Sequence, residues 1–157
     1  MTTIQIKLSL TGLLLLFFIN LNHAQVQEWA NLKKYQAENQ SVKPMKNAVV
    51  LIGDSITEFW KTNSPDFFTQ YPLIDRGISG QTTSQMVVRF EQDVIALKPR
   101  TVVILAGIND IAENTGPITL EAVFDNIEIM VNKAKAHKIK PILCSILPAN
   151  KFWWNAK

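Results

Sequence analysis

Cysteine and histidine are scarce in this chain of 157 residues. The single cysteine, Cys144, excludes an internal disulfide, and its apolar neighbours in the stretch PILCSIL predict a small buried side chain. The two histidines are His23 and His137. Any reaction that needs an imidazole base is therefore restricted to these two residues.

Runs of like charge are also missing. The formal charge is +3 and the pI is about 9.0, but the charged residues are interspersed. The densest basic stretch, NKAKAHKIK (132–140), is typical of the polar carboxyl end of a helix, where cations complement the helix dipole. The pattern therefore disfavours nucleic acid or an anionic membrane surface as a partner.

The apolar run near the amino terminus is too short to span a bilayer comfortably. It extends from Leu8 to Ile19, follows Lys7 and precedes the small residue Ala24. This order predicts a secretory signal over residues 1–24, although Asn22 is not the small residue preferred before a cleavage site. A permanent membrane helix is the weaker alternative, and no cysteine follows the run to carry a lipid anchor. We expect a mature chain of residues 25–157 that is secreted or periplasmic.

The remainder alternates between strand and helix patterns. Stretches typical of buried strands occur at 48–52, at about 73–77, in TVVILAGIND and in PILCSILP. Helical spacing precedes the first strand, runs from a threonine cap to Pro99, and recurs over about 118–137. This alternation predicts one α/β domain, with a parallel sheet covered on both faces.

Two helical stripes are expected to pack on that sheet. The residues of the first recur at intervals of three, and those of the second lie on one side of the longest helix. The first stripe is Val26, Trp29, Leu32 and Tyr35; the second is Leu120, Val123, Phe124, Ile127 and Met130.

Three strand ends carry polar and glycine residues that could perform chemistry. They are GDS at 53–55, GISG at 77–80 and GIND at 107–110. Right-handed crossovers place these loops at one edge of a parallel sheet, where ligands bind in such folds. The N–H groups of Ser55 and Gly80 and the side-chain amide of Asn109 could then form an oxyanion hole.

Each motif alone has a simpler explanation. A serine after a strand is more often a helix N-cap than a nucleophile, and Gly-x-x-Gly is usually a turn. Asp54 and Asp110 can hold their loops by accepting hydrogen bonds from backbone N–H groups. Only the joint placement of the three loops favours a catalytic site.

The blocks GDSIT, GISGQTT and GIND resemble, in order and spacing, the first three sequence blocks of the GDSL or SGNH hydrolases. The resemblance covers residues 25–157, with Ile56 in place of the leucine of the family name. It implies a three-layer α/β/α fold with a flavodoxin-like parallel sheet. It also implies hydrolysis of a small ester, with no metal or other cofactor. Ser55 would be the nucleophile, while Gly80 and Asn109 would join the Ser55 amide in the oxyanion hole.

The base of that family comes from an Asp-x-x-His block, which this sequence lacks. His23 falls in the predicted signal, and His137 is expected at the sheet edge opposite Ser55. We therefore expect a chain that stops before the last strand and helix of its fold, with weak activity or none. A noncatalytic module that binds carbohydrate or acyl groups is the alternative. A phosphate site is less favoured, because the loops lack the density of glycine and hydroxyl residues that phosphate cradles have.

Overall fold

The computed structural model of the chain describes residues 25–152, apart from residues 27 and 44. The predicted signal over residues 1–24 lies outside the described residues. Among the described residues, no helix is long and apolar enough to cross a membrane.

The structure contains a parallel sheet in the order β2-β1-β3-β4. Its strands are β1 (Val49–Gly53), β2 (Leu73–Gly77), β3 (Thr101–Leu105) and β4 (Lys140–Leu143). The chain runs outward from β1 to β2 and then returns to the other side of β1, which is the flavodoxin-like order. The predicted parallel α/β fold is confirmed. Gly53, at the end of β1, lies opposite Gly77 on one side and Leu105 on the other, so three strand ends meet at one edge.

The part of the chain that the structure describes includes six helices and a short 3₁₀ turn with the following bounds. The helices are α1 (Gln36–Ser41), α2 (Ser55–Asn63), α3 (Pro65–Gln70), α4 (Thr83–Asp93), α5 (Ile108–Ile111) and α6 (Leu120–Ala136), and the turn is Ile95–Leu97. The threonine cap predicted for α4 is Thr82, which forms a capping box with Gln85. In α6 the Thr119 hydroxyl accepts a hydrogen bond from Ala122 N. These caps fix where both long helices begin.

The two faces of the sheet have different partners. Alternate residues of β1 and β3, including Val50 and Ile104, point toward α4 and α6 and form a buried apolar core. The centre of that core also contains Met86, Phe90 and Met130. On the other face, α2 packs against β1 and β2. Helices therefore lie on both sides of the sheet, giving the expected three layers.

Three sequence expectations about burial were wrong. Cys144 is exposed, because β4 is the outermost strand among the described residues and nothing there covers it. Leu120 and Phe124 are 62% and 61% exposed, so the inner face of α6 is narrower than its periodicity indicated. The first stripe packs only in part: Tyr35 is buried as expected, but Trp29 is 44% exposed, and a left-handed residue at Asn31 (φ 52°) interrupts the predicted helix.

Candidate active site

Ser55 is the first residue of α2, and only Asp54 separates it from the end of β1. The N-cap of this helix is Asp54, whose Oδ1 accepts a hydrogen bond from Ile56 N at 2.9 Å. Asp54 therefore satisfies the helix start, and the Ser55 hydroxyl is not required as a cap. The half-buried Ser55 side chain has no hydrogen-bond partner among the described residues.

Two glycines allow α2 to start this close to the sheet. A Cβ on Gly53 would lie 2.1 Å from Thr57 Oγ1, and one on Gly77 would lie 2.1 Å from Glu58 N. Any side chain at these positions would push α2 away from the ends of β1 and β2. The glycines thus set the depth of Ser55 at the sheet edge.

The loop after β2 contacts the loop that precedes Ser55. Ile78 N donates to the Gly53 carbonyl at 3.0 Å. Gly80 then takes a positive φ of 76°, which suits glycine, and Gln81 follows it as a buried residue. The backbone of the second loop is therefore attached directly to the first.

Asn109 connects the third loop to the second. Its Nδ2 donates to the Gln81 carbonyl at 3.0 Å, while Asn114 Nδ2 donates to the Gly80 carbonyl at 3.1 Å and to Asn109 Oδ1 at 3.0 Å. A primary amide has two N–H donors, so this bond to Gln81 uses one of them. The structure thus brings the loops of Ser55, Gly80 and Asn109 together, as their positions after three parallel strands predicted.

Asp110 holds the start of α4. Its carboxylate accepts hydrogen bonds from Thr83 N at 2.9 Å and from Thr83 Oγ1 at 2.6 Å. Asn126, on α6, donates to the same hydroxyl at 3.0 Å. Asp110 therefore bonds a backbone N–H, as the simpler explanation expected, but this N–H belongs to the first residue of α4 rather than to its own loop.

Asp54 is fully buried, and its Oδ2 has no hydrogen-bond partner among the described residues. Burial raises the pKa of the Asp54 carboxyl above its usual range, and the nearby Asp110 carboxylate raises it further. An unpaired buried oxygen and a neighbouring negative charge both favour the neutral acid. A proton beside the nucleophile loop is therefore held on Asp54 at a higher pH than is usual for an aspartic acid.

Glu58 links α2 to the Gly80 loop. Its Oε2 accepts hydrogen bonds from both Ser79 N and Ser79 Oγ at 2.6 Å, and Oε1 forms an ion pair with Lys34. Burial raises the pKa of Glu58, but the hydrogen bonds from Lys34 and Ser79 outweigh burial and bring the pKa below its usual value. Glu58 therefore favours its charged form, in contrast to Asp54.

His137 lies far from these loops. It is the C-cap of α6, its ring Nδ1 contacts the Lys133 carbonyl at 2.9 Å, and β4 starts three residues later at Lys140. That position is at the amino-terminal edge of the parallel sheet. Ser55 is at the opposite edge, separated by about 16 Å of strand. In the described part of the chain, no imidazole is close enough to accept the Ser55 proton.

Two apolar clefts flank the carboxyl end of β4. A cleft of about 220 Å³ opens on the α6 side, and a smaller one of about 60 Å³ opens on the α2 side. Ile56 and Thr57, the residues after Ser55, line the smaller cleft, and Cys144 borders both. No group of three His, Cys, Asp or Glu side chains suited to a metal ion occurs among residues 25–152 as described.

Sequence reasoning missed Gln81, Glu58 and Arg89, which connect the three loops. Arg89 is fully buried on α4, between the core residues Met86 and Phe90. A charged residue on the apolar stripe of a helix, with an acid four residues later at Asp93, is the signal that could have identified it. Gln81 and Glu58 have no comparable signal.

Comparison with known proteins assigns the family. The sequence profile of the GDSL-like lipase/acylhydrolase family matches residues 51–157. The match includes the loops of Ser55, Gly80 and Asn109. The chain belongs to this family of hydrolases.

Solved structures agree with this assignment. A GDSL-like lipase from Bacteroides thetaiotaomicron is 49% identical with a TM-score of 0.78, and the match covers 80% of this chain and 63% of that one. An acylhydrolase-like protein from Bacteroides fragilis is 52% identical with a TM-score of 0.78, covering 81% of this chain and 62% of that one. The chain therefore spans less than two thirds of the length of these relatives.

Curated relatives match over shorter segments. An acetylxylan esterase from Geobacillus stearothermophilus is 49% identical over 39 residues, which are 25% of this chain and 18% of the esterase. An uncharacterized lipoprotein of Bacillus subtilis is 33% identical over 79 residues, which are 48% of this chain and 32% of the lipoprotein.

Proposed function

We propose that this chain carries the nucleophile and oxyanion loops of a serine ester hydrolase. The observation that carries the proposal is the hydrogen-bonded contact of three loops at one sheet edge. Ile78 and Gly53 join the first two, and Asn109 and Gln81 join the last two. Ser55 begins a helix there, next to the positive end of the helix dipole, and its hydroxyl has no hydrogen-bond partner among residues 25–152 as described.

In the proposed reaction the Ser55 Oγ forms a bond to the acyl carbon and releases its proton to solvent water, which returns a proton to the leaving alcohol. The carbonyl oxygen gains negative charge, which the Ser55 and Gly80 N–H groups and the free N–H of Asn109 would stabilise. Loss of one such donor typically costs about 3–4 kcal/mol of transition-state stabilisation. The bond to the alcohol oxygen then breaks, the alcohol leaves with a proton, and water hydrolyses the acyl-serine.

Turnover by the 157-residue chain is expected to be slow. His137 is on the wrong edge of the sheet, and the sequence has no Asp-x-x-His block to provide the family's base. Hydrolases stripped of their triad retain about 10³–10⁴-fold acceleration over water through binding and the oxyanion hole.

The substrate class follows from the relatives. An acetylxylan esterase is among them, so we propose a small ester, such as an acetyl group on a carbohydrate hydroxyl. No residue of the proposed reaction requires a metal or cofactor. We further propose that residues 1–24 are a secretory signal and that residues 25–157 form one hydrolase domain outside the cytoplasm.

Hydrolysis of p-nitrophenyl acetate tests the role of Ser55. We expect Ser55→Ala to lower the rate, because the acyl-serine can no longer form and only acceleration through binding and the oxyanion hole remains. Ser64→Ala is the matched control, because Ser64 precedes α3 and its side chain caps nothing. Equal rates for wild type and Ser55→Ala would rule out Ser55 as the nucleophile.

A noncatalytic binding module is the second candidate, favoured by the lack of an imidazole beside Ser55 in the described residues. Titration calorimetry with acetylated xylo-oligosaccharides distinguishes the two functions. A module would bind them without Ser55-dependent release of acetate. Absence of heat with these sugars and with acetate would contradict it.

A further inference from the structure

Arg89 occupies an unusual position in the core. Its side chain is fully buried on α4, and it donates three hydrogen bonds to buried acceptors. Nη1 donates to Asp93 Oδ2 at 3.1 Å, Nη2 to the Gly53 carbonyl at 3.0 Å, and Nε to Gln81 Oε1 at 2.5 Å.

Two of these acceptors belong to the proposed active-site loops. Gly53 ends β1 two residues before Ser55, and its carbonyl also accepts from Ile78 N. Gln81 directly follows Gly80, and its own carbonyl accepts from Asn109 Nδ2. One guanidinium therefore connects the Ser55 loop to the Gly80 loop, and the Asn109 side chain is bonded to that second loop.

We propose that Arg89 is a positioning residue that fixes the distance between the Ser55 loop and the Gly80–Gln81 loop. The proposal rests on the ester hydrolase function proposed above. Arg89 touches no substrate. It acts through the Gly53 carbonyl on one side and the Gln81 side chain on the other.

The chemistry of the side chain supports this role. A guanidinium is planar and presents its donors in a fixed fork, whereas a lysine ammonium is a point charge on a flexible stem. Burying the charge is costly unless it is paired, and Asp93 supplies the counter-charge from the next turn of the same helix. A leucine at position 89 would give an apolar core without the link, so the buried ion pair is not explained by packing alone.

Arg89→Lys tests the link, with Asp93→Asn as the control. Lysine keeps the charge but cannot bridge Gly53 and Gln81 with fixed geometry. We expect kcat for p-nitrophenyl acetate to fall about 10- to 100-fold, as misplacement of catalytic groups does, with KM within twofold. Asp93→Asn weakens the ion pair but leaves the other two bonds. It should lower the unfolding midpoint while kcat of the folded protein stays within twofold.

Amide hydrogen exchange gives a readout that does not need activity. In Arg89→Lys the Ile78 amide, which shares the Gly53 carbonyl with Arg89, should exchange at least about tenfold faster, while the β3 amides are unchanged. In Asp93→Asn the Ile78 and β3 amides should accelerate together. If Arg89→Lys does not fold, Gln81→Met removes the acceptor of Nε and should give the same local effect.

The two proposals fail in different ways. Equal turnover by wild type and Ser55→Ala would reject the hydrolase function, and the exchange data would then decide alone whether Arg89 fixes the loops. Unchanged exchange at Ile78, or a uniform change throughout the sheet, would overturn the positioning role. A fall in kcat of Asp93→Asn equal to that of Arg89→Lys would overturn it as well.

Discussion

At the scale of single residues, the sequence alone does not say whether Asp54 or Ser55 caps α2, and therefore which side chain is available as a nucleophile. The motif GDS allowed Ser55 to be either a cap or a nucleophile. The structure shows that Asp54 is the cap, because its Oδ1 accepts a hydrogen bond from Ile56 N. The position of Ser55 followed from the strand pattern, but which of the two side chains turns back to the helix depends on backbone angles that the residue types do not determine.

The buried carboxyl of Asp54 should make stability fall as pH rises. Its pKa is raised in the folded protein, so the native state holds this proton above the usual aspartate pKa of about 3.9, where the unfolded chain has released it. Ionising Asp54 therefore costs native stability once the pH exceeds that value. Asp54→Asn removes the cost, because asparagine caps a helix as well as aspartate does.

We therefore expect Asp54→Asn to raise the thermal midpoint relative to wild type more at pH 7 than at pH 4. Asp66→Asn is the control, since Asp66 is an exposed acid in the first turn of α3. It should not show this gain. A gain for Asp54→Asn that is equal at both pH values would contradict the raised pKa.

Alanine substitutions at Gly77 and Gly116 distinguish the stability cost of steric crowding from that of a strained backbone. A Cβ on Gly77 would meet the backbone of α2 at 2.1 Å, whereas one on Gly116 would have no atom within 4 Å. Gly116 has a φ of 99°, so alanine there costs only the strained backbone, about 1–2 kcal/mol. Gly77→Ala must displace α2, and we expect a loss of about 3 kcal/mol in urea unfolding. A smaller loss for Gly77→Ala than for Gly116→Ala would contradict the close packing of α2.

At the scale of elements, residues 28–41 form an N-terminal segment held mainly by polar contacts. Glutamine side chains of α4 and its preceding loop donate to three of its carbonyls, and the Tyr35 hydroxyl donates to the Gly77 carbonyl. The glutamine bonds are Gln85 to Trp29, Gln81 to Ala30 and Gln92 to Leu32. Periodicity predicted a helical apolar stripe here. The polar contacts could not be predicted, because hydrogen bonds to backbone carbonyls leave no periodic signal in the sequence.

Asn39 forms hydrogen bonds with two buried charged residues outside this segment. Its Oδ1 accepts from Arg76 Nε at 2.9 Å, and its Nδ2 donates to Asp93 Oδ1 at 2.7 Å. Asn39→Ala leaves the buried Arg76 Nε unpaired, so we expect a loss of about 1–3 kcal/mol of unfolding free energy in urea.

The control for that change is Asn132→Ala, on the exposed side of α6. It should alter stability by less than about 0.5 kcal/mol. Equal effects of the two substitutions would show that the Asn39 hydrogen bonds do not contribute to stability.

The longest helix illustrates how far a periodic pattern can be used. Helical spacing and the C-terminal basic residues placed α6 within two residues of its observed bounds. Val123 and Met130 are buried as expected, yet Leu120 and Phe124 are exposed. A hydrophobic stripe identifies one face of a helix, but how wide a strip of that face is covered depends on the neighbouring strand, which the helix sequence does not specify.

At the scale of the whole molecule, the meeting of three loops was predictable because parallel strands place their carboxyl ends at one edge. The residues that fasten the loops were not. Arg89 and Glu58 act across 36 and 21 residues of sequence, from Arg89 to Gly53 and from Glu58 to Ser79. Contacts at such separations depend on how helices rotate on the sheet, and a single sequence contains little information about that rotation.

The outer strand of the described sheet carries an apolar surface. Leu143 on β4 is 54% exposed, and Ile142 and Leu147 are similarly uncovered. Exposed apolar edge strands offer unpaired N–H and C=O groups to another chain, and charged side chains oppose such pairing. We predict that the purified chain self-associates with increasing concentration, and that Leu143→Lys shifts it toward monomer in sedimentation velocity.

Leu120→Lys is the matched control for this surface. Leu120 is 62% exposed, slightly more than Leu143, but it lies at the start of α6 rather than on a strand edge. If edge pairing drives association, Leu143→Lys should reduce it and Leu120→Lys should not. An equal reduction by both would mean that general surface hydrophobicity is responsible, and a monomer at all concentrations would mean that β4 does not pair with other copies.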